Sequence, residues 1–108
     1  EHLSKALALE PENGYFLDSL GWIYYKKGMF NKALTEIQKA IKFVPEDPTI
    51  YLHLGEVYFS LKNYDKAEKA LVKSFELNNN AKIPLENSEM IRKRLQKVRK
   101  IINESHNQ

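Results

Sequence analysis

The sequence predicts an all-α solenoid of antiparallel helix pairs that ends in a C-terminal capping helix. The same residue pattern recurs after 34 positions, as from Leu20-Gly21 to Leu54-Gly55. Apolar residues within each copy follow helical spacing, and residues that end or begin helices separate the apolar stretches. A fixed period of roughly 20 to 50 residues is typical of arrays of helical repeats.

The period defines two complete units. Residues 14–47 superpose on residues 48–81 without a gap, and Tyr24 then pairs with Tyr58 and Ala33 with Ala67. Where identity fails, chemical type persists. The predicted units are 13–46 and 47–80.

Each unit contains two apolar stretches and is therefore predicted to form two helices. The break falls at Gly28 in the first unit and around Lys62-Asn63 in the second, where Gly or Asn can adopt the left-handed conformation that ends a helix. Asn31 and Asp65 are the predicted N-caps of the second helices. Between the units, the segment Pro45-Glu46-Asp47-Pro48 stops one helix and starts the next.

Both flanks of the two units are also predicted to be helical. One period upstream, Ala6 falls under Ala40, so residues 1–12 are predicted to be the second helix of a truncated preceding repeat. Downstream the pattern fails, and residues 82–105 are predicted to form a capping helix, followed by a frayed tail at 106–108. The apolar stripe of the capping helix consists of Ile91, Leu95, Val98 and Ile102.

Composition limits the classes of function. The chain has 108 residues and a formal net charge of +3, which fits one domain. It has no cysteine, which excludes disulfides and thiolate metal sites. Its apolar runs fall far short of the roughly 20 residues that span a bilayer. No targeting segment is recognisable, so the compartment of this soluble chain is left open between the cytoplasm and a bacterial envelope.

The residues that carry the period resemble those of the tetratricopeptide repeat (TPR) family, over residues 1 to about 80. The first unit reads Leu17, Leu20-Gly21, Tyr24, Ala33, Ile37, Ala40 and Pro45, and the second reads Tyr51, Leu54-Gly55, Tyr58, Ala67, Leu71 and Ser74. Asn79 stands where the second closing proline would be. The resemblance implies a right-handed superhelix, the C-terminal part of a longer array, and similarity to bacterial TPR proteins.

The small residues of the pattern are predicted to lie where helices cross closely. Gly21, Ala33 and Ala40 have no large side chain, so two helices can approach to about 8 Å there. Gly55 is the counterpart of Gly21 in the second unit. Larger side chains at these positions are expected to destabilise the fold through overpacking.

The first helix of each unit is expected to line a concave surface that binds a partner. Trp22, Tyr25 and Phe59 are predicted apolar anchors, although packing against neighbouring helices is the alternative for Trp22 and Phe59. Asp18 and Glu56 can accept a Lys or Arg of the partner. The predicted partner-binding residues are Tyr15, Asp18, Trp22, Tyr25, His53, Glu56 and Phe59, with Ser19, Lys26, Thr49, Leu52 and Ser60 beside them.

These residues predict a protein–protein interaction scaffold that binds a peptide or helix with apolar and basic side chains. The resemblance offers a second comparison, because chaperone-binding members of the family grip a C-terminal carboxylate with Lys, Arg and Asn residues on the same helices. This chain has Asp18, Trp22 and His53 at comparable places, so binding of that kind of tail is not expected.

Three alternatives to peptide binding are considered. Self-assembly as a homodimer through residues 1–10 is the first, because Leu3, Ala6 and Leu7 form an apolar face. Nucleic-acid or acidic-surface binding through the basic residues from Arg92 to Lys100 is less favoured, because they surround the helix and no aromatic residue lies among them. Catalysis is not predicted, and neither a cofactor nor a metal: His53 and Glu56 lie one turn apart but have no nucleophile or third ligand nearby.

Overall fold

The computed structural model describes residues 13–80 and 88–106, and within these residues the chain forms helices joined by short turns. The predicted helix at 1–12 lies outside them. The first two helices pair with each other, as do the third and fourth; the second packs on the third and the fifth on the fourth. This is the predicted all-α solenoid. The helices are α1 (Gly14–Lys26), α2 (Phe30–Phe43), α3 (Pro48–Ser60), α4 (Tyr64–Asn80) and α5 (Ser88–His106).

Side-chain caps start the first helix of each unit. The Oδ1 atom of Asn13 accepts hydrogen bonds from the backbone N–H groups of Tyr15 and Phe16, at 3.0 and 3.1 Å. Asp47 caps α3 in the same way through Thr49 and Ile50, and Pro48 occupies the first helical position. Proline is favoured there because the N–H group it lacks would have no partner within the helix.

The predicted N-caps of the second helices were wrong by two residues. Helix α2 begins at Phe30, so Asn31 is already helical and Met29 holds the cap position without a side-chain hydrogen bond. The cause is the preceding turn, in which Met29 N–H donates to the carbonyl of Tyr24 at 2.9 Å and reverses the chain early. The turn before α4 repeats this bond, so Asn63, not Asp65, precedes the helix.

One residue in each of these turns is left-handed. Gly28 has a φ angle of 78°, as predicted, but in the second unit the left-handed residue is Lys62, with φ of 63°, and not Asn63. The turn geometry decides this, because the left-handed residue immediately precedes the one whose N–H group bonds back across the helix end. A lysine in this conformation carries a steric cost that glycine avoids.

The Leu-Gly pairs lie where helices cross closely, as predicted. A Cβ atom added to Gly21 would lie 2.7 Å from Cγ1 of Ile37, and one added to Gly55 would lie 2.7 Å from Cγ of Leu71. Ala33 and Ala40 are fully buried. Gly14 makes a third close approach, 2.5 Å from Val44 Cγ2, which the repeat pattern did not indicate because proline is its counterpart in the second unit.

Helix α5 packs through the predicted apolar stripe. Ile91 and Val98 are fully buried, Leu95 nearly so, and Ile102 is half-buried. The helix continues to His106, and residues 107–108 lie outside the described part of the chain. Because α5 packs on α4, it carries Arg94 and Lys97 beside the first helices, where they contact α3.

Candidate partner-binding face

Helices α1 and α3 are the first helices of their pairs, which in this architecture line the concave side. We call the surface that they form the inner face, and define it by six of the predicted residues. The structure divides them into two side-chain clusters that both bridge neighbouring helices. One cluster contains Asp18, Trp22, Tyr25 and His53, and the other contains Glu56 and Phe59.

An Asp–His pair joins α1 to α3 in the first cluster. Nδ1 of His53 lies 2.9 and 3.0 Å from the two carboxylate oxygens of Asp18. Asp18 is only 8% exposed, so its carboxylate has left bulk water and depends on this partner. The carboxylate predicted to receive a partner's cation is therefore engaged within the chain.

Three rings stack across the same cluster. The ring centroid of Trp22 lies 4.4 Å from that of Tyr25 and 4.0 Å from that of His53, at interplanar angles of 8° and 20°. The rings of Tyr25 and His53 are too large to stack side by side on one face of the indole at these distances. Trp22 therefore lies between them. Trp22 is half-buried, and it presents its edge rather than an open face. Both readings of this residue thus apply in part: it packs between helices and remains accessible.

The second cluster joins α3 to α5. Arg94 donates two hydrogen bonds to Glu56, from Nε at 2.6 Å and from Nη2 at 3.1 Å. Its guanidinium carbon also lies 4.6 Å from the ring centroid of Phe59, and Lys97 Nζ lies 5.5 Å from the same centroid. Two cations therefore lie against the ring of Phe59, which leaves less of it available as an apolar anchor.

Two residues predicted near the site lie apart from the clusters. Tyr15 is 61% exposed and lines a cavity of about 480 Å³ with Phe43 and the 44–48 turn. Leu52 was expected on the binding surface but is only 4% exposed and belongs to the hydrophobic core, so that expectation was wrong. The helical phase that brings His53 to the inner face turns its neighbour Leu52 inward.

Arg94 and Lys97 were missed as inner-face residues. The basic residues from Arg92 to Lys100 surround α5 without forming one stripe, so the sequence did not indicate which of them adjoin α3. The apolar stripe of Ile91, Leu95 and Val98 could have identified them. It determines which side of α5 packs on α4, and therefore which basic residues lie next to α3.

The inner face lacks the arrangement of a metal centre. His53 and Glu56 lie one turn apart, but each is paired elsewhere, with Asp18 and Arg94 respectively. Among the described residues no group of three or more metal-ligating side chains occurs. None of the helices in the described part of the chain is long and apolar enough to cross a membrane.

Helix pairs repeated every 34 residues and stacked side by side define a helical-repeat protein. Family models described as "TPR repeat" and "Tetratricopeptide repeat" match residues 21–62 and 48–80. The chain belongs to the tetratricopeptide repeat family.

Known proteins similar to this chain are TPR proteins too. The human "Tetratricopeptide repeat protein 13" is 31% identical over 77% of this chain, which covers only 10% of that relative. The TPR domain of Sgt2 from Aspergillus fumigatus superposes with a TM-score of 0.85 at 22% identity, over 98% of this chain and 67% of that one. Spaghetti (RPAP3), bound to the HSP90 peptide SRMEEVD, gives 0.82 at 18% identity, over 94% and 75%.

The distribution of relatives bears on the suggested bacterial origin. Sequence relatives come from human, from an archaeon and from a bacterium, and their similarity to this chain is comparable. No lineage is singled out, so the bacterial similarity remains a prediction from the sequence.

Proposed function

We propose that this chain is a protein-interaction scaffold that holds an extended peptide or a helix of a partner protein on its inner face. The observation that carries the proposal is the stack of half-buried Trp22 and Tyr25 on α1, a helix that lines the concave side of a TPR solenoid. Aromatic side chains with accessible edges concentrate binding energy at protein interfaces. The solved neighbour Spaghetti (RPAP3) bound to an HSP90 peptide supports a peptide as the ligand.

The inner face suits a partner with apolar side chains. The edges of Trp22 and Tyr25 offer apolar contact, and His53 beside them adds a ring nitrogen for hydrogen bonding. A basic partner was expected from Asp18 and Glu56, but both carboxylates are engaged within the chain. Those residues therefore act mainly by holding the inner face in shape.

The proposal is tested by panning a phage-displayed random peptide library against the full chain and measuring the selected peptides by calorimetry. Trp22→Ala should weaken their binding about tenfold or more, because it removes the central ring of the stack. Phe43→Ala is the matched control, since Phe43 is an exposed aromatic on the second helix of its pair. Equal binding by both variants, with folding verified by melting curves, would contradict the proposed surface.

Self-assembly is the second candidate. Ile23 is 38% exposed, whereas Val57, its counterpart one period later, is fully buried under the preceding helix pair. A second copy packed on the Ile23 end of the solenoid would bury it equally. The surface first suggested, residues 1–10, lies outside the described residues. A dimer mass by light scattering that Ile23→Asp converts to a monomer mass would favour this candidate, and a monomer mass at all concentrations would exclude it.

Two further readings receive less support. In α5, Arg92, Arg94 and Arg99 are each paired with a glutamate, which leaves fewer cations for nucleic-acid phosphates than the sequence suggested. The TPR fold is a protein-interaction fold, and the absence of catalysis remains a prediction from the sequence.

A further inference from the structure

We propose that the Nε2 atom of His53 accepts a hydrogen bond from a serine or threonine hydroxyl of the partner peptide. This inference rests on the proposed function and adds the chemistry of one polar contact beside Trp22. It makes His53 a residue that determines specificity. Asp18 is a positioning residue, because it acts on the partner only through His53.

The contact with Asp18 fixes which nitrogen of His53 carries the proton. Nδ1 lies 2.9 and 3.0 Å from the two carboxylate oxygens. An ionised carboxylate only accepts hydrogen bonds, so Nδ1 must be the donor. A neutral imidazole has a single N–H group, and its other nitrogen, Nε2, then carries a lone pair. The carboxylate of a serine protease holds its histidine in the same tautomer, in which Nε2 accepts from a hydroxyl.

The ring of His53 is also held in one orientation. Its centroid lies 4.0 Å from that of Trp22, at an interplanar angle of 20°. Tilting the ring would break this stack, and turning it over would break the contact with Asp18, whose side chain is only 12% exposed. The lone pair of Nε2 therefore points in a fixed direction.

Nε2 is available to a partner. It forms no hydrogen bond with any residue in the ranges 13–80 and 88–106. The side chain of His53 is 17% exposed, and Nε2 is not among the buried polar atoms that lack a hydrogen-bond partner. This nitrogen is therefore in contact with solvent, beside the ring of Trp22. A peptide that lies against the edge of Trp22 reaches Nε2 as well.

A hydroxyl suits this position better than a cation or an amide. Because little of the His53 side chain is exposed, a lysine ammonium there would lose much of its hydration for one hydrogen bond. The carboxylates that would compensate for this loss, Asp18 and Glu56, already pair with His53 and Arg94. A side-chain amide brings two N–H groups to a single acceptor, whereas a hydroxyl brings one donor.

The first measurement requires no partner. Nitrogen–proton correlation NMR of the full chain distinguishes a ring nitrogen that carries a proton from one that carries a lone pair. It is recorded at mildly alkaline pH, where histidine side chains are ordinarily neutral. We expect an imidazole of His53 that is protonated at Nδ1 alone. A proton on Nε2 overturns the inference.

The second measurement uses three fluorescein-labelled random peptide pools of equal length, net charge and apolar content. Their remaining positions hold Ser and Thr, or Ala and Val of similar shape, or O-methylated Ser and Thr, which accept hydrogen bonds but cannot donate them. Fluorescence anisotropy at physiological salt should show that the full chain binds the hydroxyl pool about fivefold more tightly than either other pool. The inference is overturned if the hydroxyl pool binds no better than one of the others, or if no pool binds.

The double variant Asp18→Leu/His53→Phe locates the preference. It removes both partners of the hydrogen bond together and keeps an aromatic ring against Trp22, so that no buried carboxylate is left unpaired. It should bind the three pools with equal affinity, and a retained preference for hydroxyls overturns the inference. If melting curves show that this variant is unfolded, NMR of the wild-type chain replaces it. The hydroxyl pool should then shift the Nε2 resonance of His53, and no shift overturns the inference.

The matched control is Glu89→Gln/Arg92→Gln, which removes a different ion pair. Both residues lie on α5, where Arg92 lines a separate cavity with Val72 and Phe75. This variant should keep the preference for the hydroxyl pool. Loss of the preference in the control as well would mean that the contact at His53 is not its cause.

The same data separate this inference from the proposed function. If Trp22→Ala weakens binding of all three pools while the wild-type chain binds them equally, the inner face binds peptides but the role of His53 is wrong. If no pool responds to Trp22→Ala, the proposed function itself fails.

Discussion

His53 contacts both carboxylate oxygens of Asp18 through a single ring nitrogen, and so links α3 to α1 across 35 residues of sequence. Removal of Asp18 leaves the imidazole of His53 without its hydrogen-bond partner. Removal of His53 leaves a buried carboxylate without one. We expect Asp18→Ala to lower the free energy of unfolding by about 1–3 kcal/mol. Urea denaturation followed by the fluorescence of Trp22, the one tryptophan of the chain, measures this change.

A double-mutant cycle of Asp18→Ala with His53→Ala isolates the pair, and a coupling energy of about 0.5 kcal/mol or more is expected. The exposed Glu89–Arg92 pair is the control, and Glu89→Gln should not change stability measurably. A coupling energy of zero between Asp18 and His53 would mean that the observed contact contributes nothing to folding.

Substitutions at Gly21 and Gly28 distinguish a packing constraint from a constraint on backbone conformation. Gly21→Ala should cost about 1–3 kcal/mol, because the new Cβ atom overlaps Ile37. Gly28→Ala should cost about 1–2 kcal/mol for a different reason, since nothing lies within 4 Å but the φ angle is positive.

Asparagine distinguishes the two causes, because it tolerates the left-handed conformation but is larger than alanine. Gly28→Asn should be milder than Gly28→Ala, while Gly21→Asn should be worse than Gly21→Ala. Melting temperatures in the opposite order would show that the close approach at Gly21 is not a packing constraint.

Lys62 is a site for stabilisation. Its φ angle of 63° is costly for lysine and free of strain for glycine. Lys62→Gly should raise the free energy of unfolding by about 1 kcal/mol. Lys69→Gly, within α4, should lower it by about the same amount, since glycine disfavours a helix interior. Calorimetric melting of both variants checks the two signs, and a loss of stability in Lys62→Gly would argue against the left-handed turn.

The pKa of Glu89 is lowered by its side-chain hydrogen bond from Arg92; desolvation opposes this shift, and the charges of Arg92 and Lys93 add to it. Since the folded pKa lies below the unfolded one, the sign of the effect is a stabilisation above the unfolded pKa that is lost as the pH falls through the folded pKa; because the pair is exposed, this stabilisation is too small to detect in unfolding. NMR titration should show that Arg92→Gln raises the pKa of Glu89 toward its usual range. An unchanged pKa would rule out the hydrogen bond as its cause.

Periodicity predicted the fold because it acts through local geometry. Gly21 and Gly55 are 34 residues apart because the same helix crossing occurs in both units. The apolar stripe from Ile91 to Val98 identifies the buried side of α5 directly. The N-caps were misplaced because the early chain reversal depends on the backbone bond from Met29 to Tyr24, which leaves no mark in the side-chain pattern.

The candidate site was only partly predictable for a related reason. The sequence identified Asp18, Trp22, Tyr25, His53, Glu56 and Phe59 as neighbours on two helices. It did not reveal that Arg94 would bind Glu56, because this pairing depends on how α5 packs on α4. Contacts between helices from different units require a three-dimensional register that a single sequence does not state.

The two ion pairs that join α1 to α3 and α3 to α5 have a mechanical consequence. Asp18 with His53, and Glu56 with Arg94, each fasten two helices together along the side that must lengthen if the coil is straightened. A force applied to the two ends of the solenoid is therefore expected to break these two ion pairs before the hydrophobic contacts between the helices separate. We expect resistance to stretching to depend on these two polar pairs as well as on the hydrophobic core.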